Sequence, residues 1–255
     1  DEAMTEGTAI GLLETIVSDQ RGIIADVTGK PASETPQIWA LYKEVQDYYD
    51  QGMDVPEDVT LLFADDNWGN IRRLPAPGQE RPGGYGVYYH FDYVGDPRNY
   101  KWINTTQIER VWEQMNLADA YGAREMWIVN VGDLKPMEFP ISFFLDMAWD
   151  PSDWPLERLG DYPRIWAAEQ FGPEHAAEIA DLMTAYTKYN ARRKPELLEP
   201  GTYSLINFGE ADRVVADYNV LADRATALRE KLPESQDDAY MQLVWFPIHA
   251  AANLN

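Results

Sequence analysis

Residues 58–66, DVTLLFADD, set apolar side chains on consecutive positions and then stop in acidic groups. A strand of this kind is apolar on both faces, and both must be covered, which is the condition of a strand inside a parallel sheet flanked by helices. QIWALY (37–42), GVYYHFDY (86–93) and EMWIVNV (125–131) repeat the pattern. Helical periodicity falls between them. KEVQDYYDQG (43–52) reads as a short helix closed by Gly52, and residues 105–122 place Ile108, Val111, Trp112 and Met115 on one face, with Asn104 or Thr105 as the expected cap. Upstream, residues 5–28 carry Ile10, Leu13, Ile16 and Val17 at helical spacing before Gly29 and Pro31. The stretch from 67 to 85 is too rich in Pro and Gly for a helix and long for a plain connection. Strands alternating with helices predict an α/β fold with a parallel sheet of βα units.

After FFLDMAWDP (143–151) only helical patterns remain. Ile179, Leu182, Met183 and Tyr186 form a stripe over residues 174–190, Val214, Tyr218, Leu221, Ala225 and Leu228 another over 210–232, and a last helical piece covers 236–254. Pro and turn residues cluster in WDPSDWPLERLGDYP, so two domains are expected, 1–155 of α/β type and 156–255 all-α.

The formal charge of -22 opposes binding to phosphate backbones and anionic membranes, so nucleic acid and membrane are not expected as partners. The chain has no cysteine, which removes thiolate metal sites and cysteine nucleophiles from consideration, and its three histidines, His90, His175 and His249, are too far apart for a zinc-binding helix motif. No metal and no cofactor are expected. No apolar run reaches the roughly 18 residues a membrane helix needs. The amino end, DEAMTEGTAIGLL, lacks the basic start of a signal peptide, and localisation cannot be read from it.

In parallel βα folds ligands bind beyond the carboxyl ends of the strands. Those ends lead here into Lys43 and Glu44, into Asp65, Asp66 and Asn67, into His90, Asp92 and Tyr93, and into Asn130 and Asp133. Carboxylates, amides, a histidine and the nearby rings of Trp68, Tyr89 and Trp102 make up the inventory of a glycosidase, and equally that of another barrel hydrolase. Each residue also has a plainer reading. Glu44 suits the first turn of a helix, Asp65 and Asp66 point to opposite faces so that at most one enters a pocket, His90 suits a structural hydrogen bond, and Asn67 and Asn130 suit backbone groups at strand ends. Lys43, Arg72, Arg73, Arg81, Arg98 and Lys101 could neutralise an acidic sugar, although surface ion pairs are the simpler expectation for most of them.

Longer strings are more specific. DDNWGNIRRLP (65–75), GGYGVYYHFDYVGDPRNYKWINT (83–105), EQMNLA (113–118) and IVNVGDLKPMEFPISFFLDMAWDP (128–151), with YKEVQDYYDQG and RRKPELL (192–198), closely resemble glycoside hydrolase family 115, the xylan α-1,2-glucuronidases. The resemblance implies part of a (β/α)8 TIM-type barrel, its second half, followed by a helical domain. It implies inverting removal of glucuronic or 4-O-methylglucuronic acid side groups from xylan, with the rest of the barrel in sequence before Asp1. By the same resemblance Glu44 corresponds to the general acid, Asn67, His90, Tyr93 and Asn130 to pocket lining, and Asp1 to a pocket carboxylate, the candidate base. Glucuronoxylan or its oligosaccharides are then the expected partner, with a homodimer as a further option. A parent protein acting on a polymer is expected outside the cell or in the periplasm. A non-catalytic polysaccharide-binding relative or inactive fragment, and a glycosidase for another uronate-bearing polysaccharide, are the alternatives.

Overall fold

The computed structural model describes residues 6–92 and 102–255. Among the described residues four parallel strands form one sheet in the order β1 (Ile38–Leu41), β2 (Thr60–Ala64), β3 (Tyr85–His90) and β4 (Met126–Asn130). Helix α1 (Glu6–Thr28) precedes them, α2 (Glu44–Asp50) joins β1 to β2, and α3 (Ile108–Ala120) comes before β4. A helical region follows: α4 (Glu138–Trp149), α5 (Leu156–Leu159), α6 (Tyr162–Phe171), α7 (Ala176–Asn190), α8 (Glu210–Arg229), α9 (Asp237–Tyr240), a π-helical turn over Met241–Trp245, and α10 (Phe246–Leu254). The chain is thus α/β with a carboxyl-terminal helical region, as the alternation of patterns predicted.

The predicted strands and helices lie where the patterns placed them, with differences that have local causes. The periodicity over 105–122 extends too far forward, because Asn104 does not cap the helix. Its Oδ1 accepts the Thr106 N–H at 2.9 Å, closing a turn, and α3 starts at Ile108. The sequence FFLDMAWDP, to which no element is assigned from pattern, is largely helix α4, and α6 begins at the end of the WDPSDWPLERLGDYP stretch read as the boundary. Each helix buries a single stripe, Phe139, Phe143, Phe144 and Met147 in α4 and Tyr162, Trp166 and Ala167 in α6, but each also carries a proline in its first turn, Pro140 or Pro163, and a proline reads in sequence as a breaker.

Two compact units emerge, one of residues 1–90 and 114–130, the other of 91–113 and 131–255. They follow packing, and so interleave along the chain near α3. In the sheet unit, register pairs Leu41 with Phe63 and Phe63 with Val87, all three fully buried on one face, where Tyr49 of α2 meets Phe63 edge-on at 6.3 Å. The other face is closed at its centre by Leu62, Ala64 and Gly86, and open at its margins, where Ile38, Met126 and Ile128 are exposed. Gly86 is required at its position, since a Cβ there would sit 2.1 Å from the Met126 carbonyl oxygen and 2.6 Å from a Leu62 methyl. Arg21 of α1 binds Asp58 through two bonds of 2.8 and 3.0 Å, anchoring that helix ahead of β2.

The helical unit is built on aromatic contacts. Tyr162 lies 4.9 Å from Phe143 and 4.8 Å from Trp154, and Phe139 lies 5.2 Å from Trp166. Buried hydroxyls are satisfied inward. Tyr162 donates to Asp146 at 2.8 Å, Tyr218 to Asn190 at 3.1 Å, Tyr240 to the Ala225 carbonyl at 2.9 Å, and Tyr186 to the Asn104 carbonyl. Burial pushes the phenols of Tyr186, Tyr162, Tyr218 and Tyr240 far above their ordinary range, so none ionises in the folded chain.

Candidate active site

Parallel strands in near register deliver their carboxyl ends to one edge of the sheet unit. His90 pairs in register with Asn130, and Tyr88 with Ile128, so the last residues of β3 and β4 lie side by side. Tyr42 immediately follows β1 and Asp65 immediately follows β2. Side chains two residues apart on a strand share a face, so Tyr88 and His90 project together. Their rings are 4.5 Å apart, and Tyr42 stacks against His90 at 5.7 Å and meets Tyr88 edge-on at 5.8 Å.

Asp65 organises this end. It is fully buried, and its Oδ1 sits 2.6 Å from His90 Nδ1 while its Oδ2 accepts the His90 backbone N–H at 2.9 Å. The same carboxylate accepts the N–H groups of Asn67 at 3.1 Å and Gly69 at 3.2 Å. With both Asp65 oxygens already accepting backbone N–H groups, the geometry assigns the Nδ1 contact to donation from His90, which turns Nε2 away from Asp65. Asp66 has a different task. Its Oδ1 accepts the N–H groups of Trp68 and Asn70 at 2.9 and 3.0 Å, and its Oδ2 the Asn70 side-chain amide at 2.8 Å, which closes the loop after β2. The expectation that at most one of the two aspartates enters a pocket holds, because both carboxylates are taken up by backbone groups of the one loop that follows β2.

Asn67 lies on the turn these aspartates shape, with φ 67°, a left-handed conformation that Asn tolerates better than most residues. Its Oδ1 accepts the Tyr42 hydroxyl at 2.9 Å. Tyr42 thus links Asn67 to His90, one through its hydroxyl and the other through its ring. Neither Tyr42 nor the ordering role of Asp65 was singled out from sequence. The available signal was position, since each is the first residue past the end of a strand.

Glu44 opens α2 two residues beyond Tyr42 and is exposed, with no hydrogen bond to the cluster among the described residues. The backbone at its neighbour Lys43 is strained at φ 51° and ψ -124°, and the Lys43 Nζ lies 5.3 Å over the Tyr42 ring. Asn130 is half-buried beside His90. Asp1, Tyr93, Arg98 and Lys101 lie outside the described residues. Arg72 pairs with Asp47 at 3.0 Å and binds the Lys43 carbonyl at 3.2 Å, Arg73 pairs with Asp50, and Arg81 binds the carbonyls of Val55 and Pro56 at 3.2 and 2.6 Å, so all three are structural as the simpler reading held. Tyr89 is not a sugar platform. It is fully buried, and its hydroxyl donates to the Gly69 carbonyl at 3.0 Å, because alternation along β3 turns it to the opposite face from Tyr88 and His90.

A parallel sheet whose strand ends converge on a histidine, an asparagine and aromatic rings defines the ligand-binding pole of an α/β protein. The chain belongs to glycosyl hydrolase family 115, a family of α-glucuronidases, whose sequence profile matches residues 1–197. It is similar to the solved structure of a family 115 4-O-methyl-α-glucuronidase described as having specificity for decorated arabinogalactans. The two are 32% identical with a TM-score of 0.87, over 99% of this chain and 35% of the other. The chain therefore spans about a third of that relative's length. No curated protein matches it.

Proposed function

We propose that the chain contributes part of the catalytic barrel of an inverting glycosidase that removes α-1,2-linked (4-O-methyl)glucuronic acid side groups from xylan. The observation that carries this reading is the strand-end cluster of Tyr42, Asn67, Asp65 and His90, ordered from beneath and set beside Glu44. Glu44 is the general acid, donating its proton to the departing xylose oxygen. A second carboxylate, for which Asp1 is the candidate, activates water from the opposite side at a separation of about 6.5–9.5 Å. Asn67, His90, Tyr93 and Asn130 line the uronate pocket, with His90 offering Nε2 because Asp65 occupies Nδ1. A general acid must carry its proton when the substrate binds, so this reading requires the bound substrate and the remainder of the barrel to cover Glu44.

The same reading accounts for the open margins of the sheet. Parallel sheets bury both faces, and Ile38, Met126 and Ile128 are exposed on the face that becomes the interior of a closed (β/α)8 barrel. The remaining strands would come from sequence outside this span, with residues 1–155 as the barrel portion and 156–255 as the helical domain. A polymeric substrate places the protein outside the cell or in the periplasm.

The similar structure's specificity for decorated arabinogalactans favours a second reading, in which the uronate is removed from that polymer. Parallel incubation of the full-length protein with glucuronoxylan and with decorated arabinogalactan, following released uronic acid by NMR, separates them. Release from xylan with the β-anomer formed first is the expected result. Release from arabinogalactan alone would move the proposal to that substrate. Release from neither, with saturable binding retained, would make the protein a non-catalytic binder.

A further inference from the structure

A cavity of about 950 Å³ lies in the helical unit where α7 ends and α8 begins, lined among others by Arg192, Arg193, Glu199, Tyr203, Glu210 and Arg213. The lining sets three arginines against three acids, Glu199, Glu210 and Asp217, a local balance that departs from the chain's formal charge of -22. The states of the arginines differ. Arg192 is committed, paired with Asp217 at 2.5 Å and stacked 4.1 Å over the Tyr189 ring. Among the described residues Arg193 uses only Nε, which donates to the Leu197 carbonyl at 3.1 Å. The guanidinium of Arg213, in the first turn of α8, has no hydrogen bond or ion pair among the described residues. Glu210 forms no ion pair with it among the described residues, and its Oε2 accepts the Ser204 N–H at 2.8 Å.

Tyr203 adds an orphan. Its hydroxyl is shielded from solvent and has no hydrogen-bond partner among the described residues, although Arg192 and Arg193 are near enough to act on it electrostatically. Buried hydroxyls are rarely left unbonded unless something absent completes them. The loop that carries Tyr203 runs on to Leu205, Ile206 and Phe208, each at least 82% exposed, and Phe208 is held at φ 58°. Exposed apolar surface on a strained loop beside unspent donors is a binding arrangement.

We infer that this cavity is a second saccharide site, holding a uronate-bearing oligosaccharide with its carboxylate on Arg193 and Arg213. The planar guanidinium fork matches a carboxylate bidentately, Glu199 and Tyr203 supply partners for sugar hydroxyls, and the volume falls within the range of ligand pockets. The choice of a sugar carboxylate over another anion rests on the function proposed above. No residue of the strand-end cluster takes part. Such a site keeps the enzyme on a polymer carrying several uronates, by raising the effective concentration of the next one.

The test uses the full-length protein carrying Glu44→Gln to suppress turnover, titrated calorimetrically with glucuronoxylo-oligosaccharides and with neutral xylo-oligosaccharides of equal length. Two binding events are expected with the acidic ligand. Adding Arg193→Ala and Arg213→Ala, both at exposed positions whose loss leaves the fold intact by circular dichroism, should weaken one of them by about tenfold or more. In the otherwise unmutated enzyme the same pair should raise KM on polymeric glucuronoxylan and leave kcat on a singly decorated oligosaccharide unchanged. Unaltered binding and KM in the double arginine variant, or equal binding of the neutral ligand at the arginine-dependent site, would overturn the inference. The failures separate cleanly: an enzyme that releases uronate but shows no arginine-dependent event refutes only the second site, and one that shows the event but releases nothing refutes only the catalytic reading.

Discussion

The sheet unit and the helical unit both bury tyrosine and acid, and they do so to different ends. In the helical unit Tyr186, Tyr218 and Tyr240 turn their hydroxyls inward to carbonyls or an amide of neighbouring segments, so that each polar atom closes the core around it. In the sheet unit Tyr42, Asp65 and Asn67 satisfy one another at one edge and leave a histidine ring framed by aromatics. Inward closure stabilises, whereas satisfaction confined to one edge orders groups for something still to arrive. The contrast predicts that substitutions of the strand-end polar groups act on turnover, and those of the helical unit's buried hydroxyls on stability.

The sharpest separation should come from Glu44. Replacing it with Gln keeps shape and removes the transferable proton, so turnover of glucuronoxylan by the full-length protein should fall by about 10²–10⁴-fold with little change in melting temperature. An activated aryl glucuronide, whose leaving group needs no proton, should be spared. Near-normal xylan turnover would show that Glu44 is not the acid. Gly86→Ala should do the reverse. Its Cβ would meet the Met126 carbonyl oxygen, so β3 and β4 must part, at about 2–3 kcal/mol or more, read as a lower denaturant midpoint. Asp65→Asn falls between these in kind. The amide no longer enforces the Nδ1–H form of His90, and activity should drop about 10–100-fold. Imidazole ¹⁵N shifts would report the change in tautomer, which a purely structural role for Asp65 would not produce.

What could be read from sequence in the two units differs for a physical reason. Consecutive apolar residues in TLLFA and the alternating helices declared the parallel sheet, because a strand's burial is written into its own residues. The strand-end positions of Asn67, His90 and Asn130 followed from that. Tyr42 and Asp65 were harder to see, since their importance comes from partners 25 residues away, at 2.9 Å for Tyr42 with Asn67 and 2.6 Å for Asp65 with His90. In the helical unit α4 and α6 went unread because each carries a proline in its first turn, Pro140 and Pro163, which reads as a breaker although the position tolerates it. Glu44 was found by resemblance alone. Nothing in its surroundings within the described residues marks it apart from any other first-turn carboxylate.

Tyr186→Phe tests the helical half of the comparison. The lost hydroxyl strands the buried Asn104 carbonyl, and a buried acceptor without its donor costs about 1–2 kcal/mol. Chemical denaturation should show that loss with activity intact, per folded molecule. A fall in kcat without a fall in stability would erase the distinction between the two units.

The smallest effect, and the most specific, belongs to Glu196. This carboxyl is 2% exposed, its Oε2 has no hydrogen-bond partner among the described residues, and burial raises its pKa above the ordinary value of 4.5, with nearby Asp92 adding to the rise and Lys194 opposing it. The folded chain therefore holds the Glu196 proton more tightly than the unfolded chain does. The stability this lends is fully present below pH 4.5 and is lost as the pH rises through the folded pKa, where a buried charge must form. Glu196→Gln removes the charge and retains the shape. Its melting temperature should equal that of the unmutated protein below pH 4.5 and exceed it at neutral pH, the gap opening across the interval between. A constant gap at every pH would mean that Glu196 acts through packing alone, and the helical unit would then hold no acid whose ionisation works against its fold.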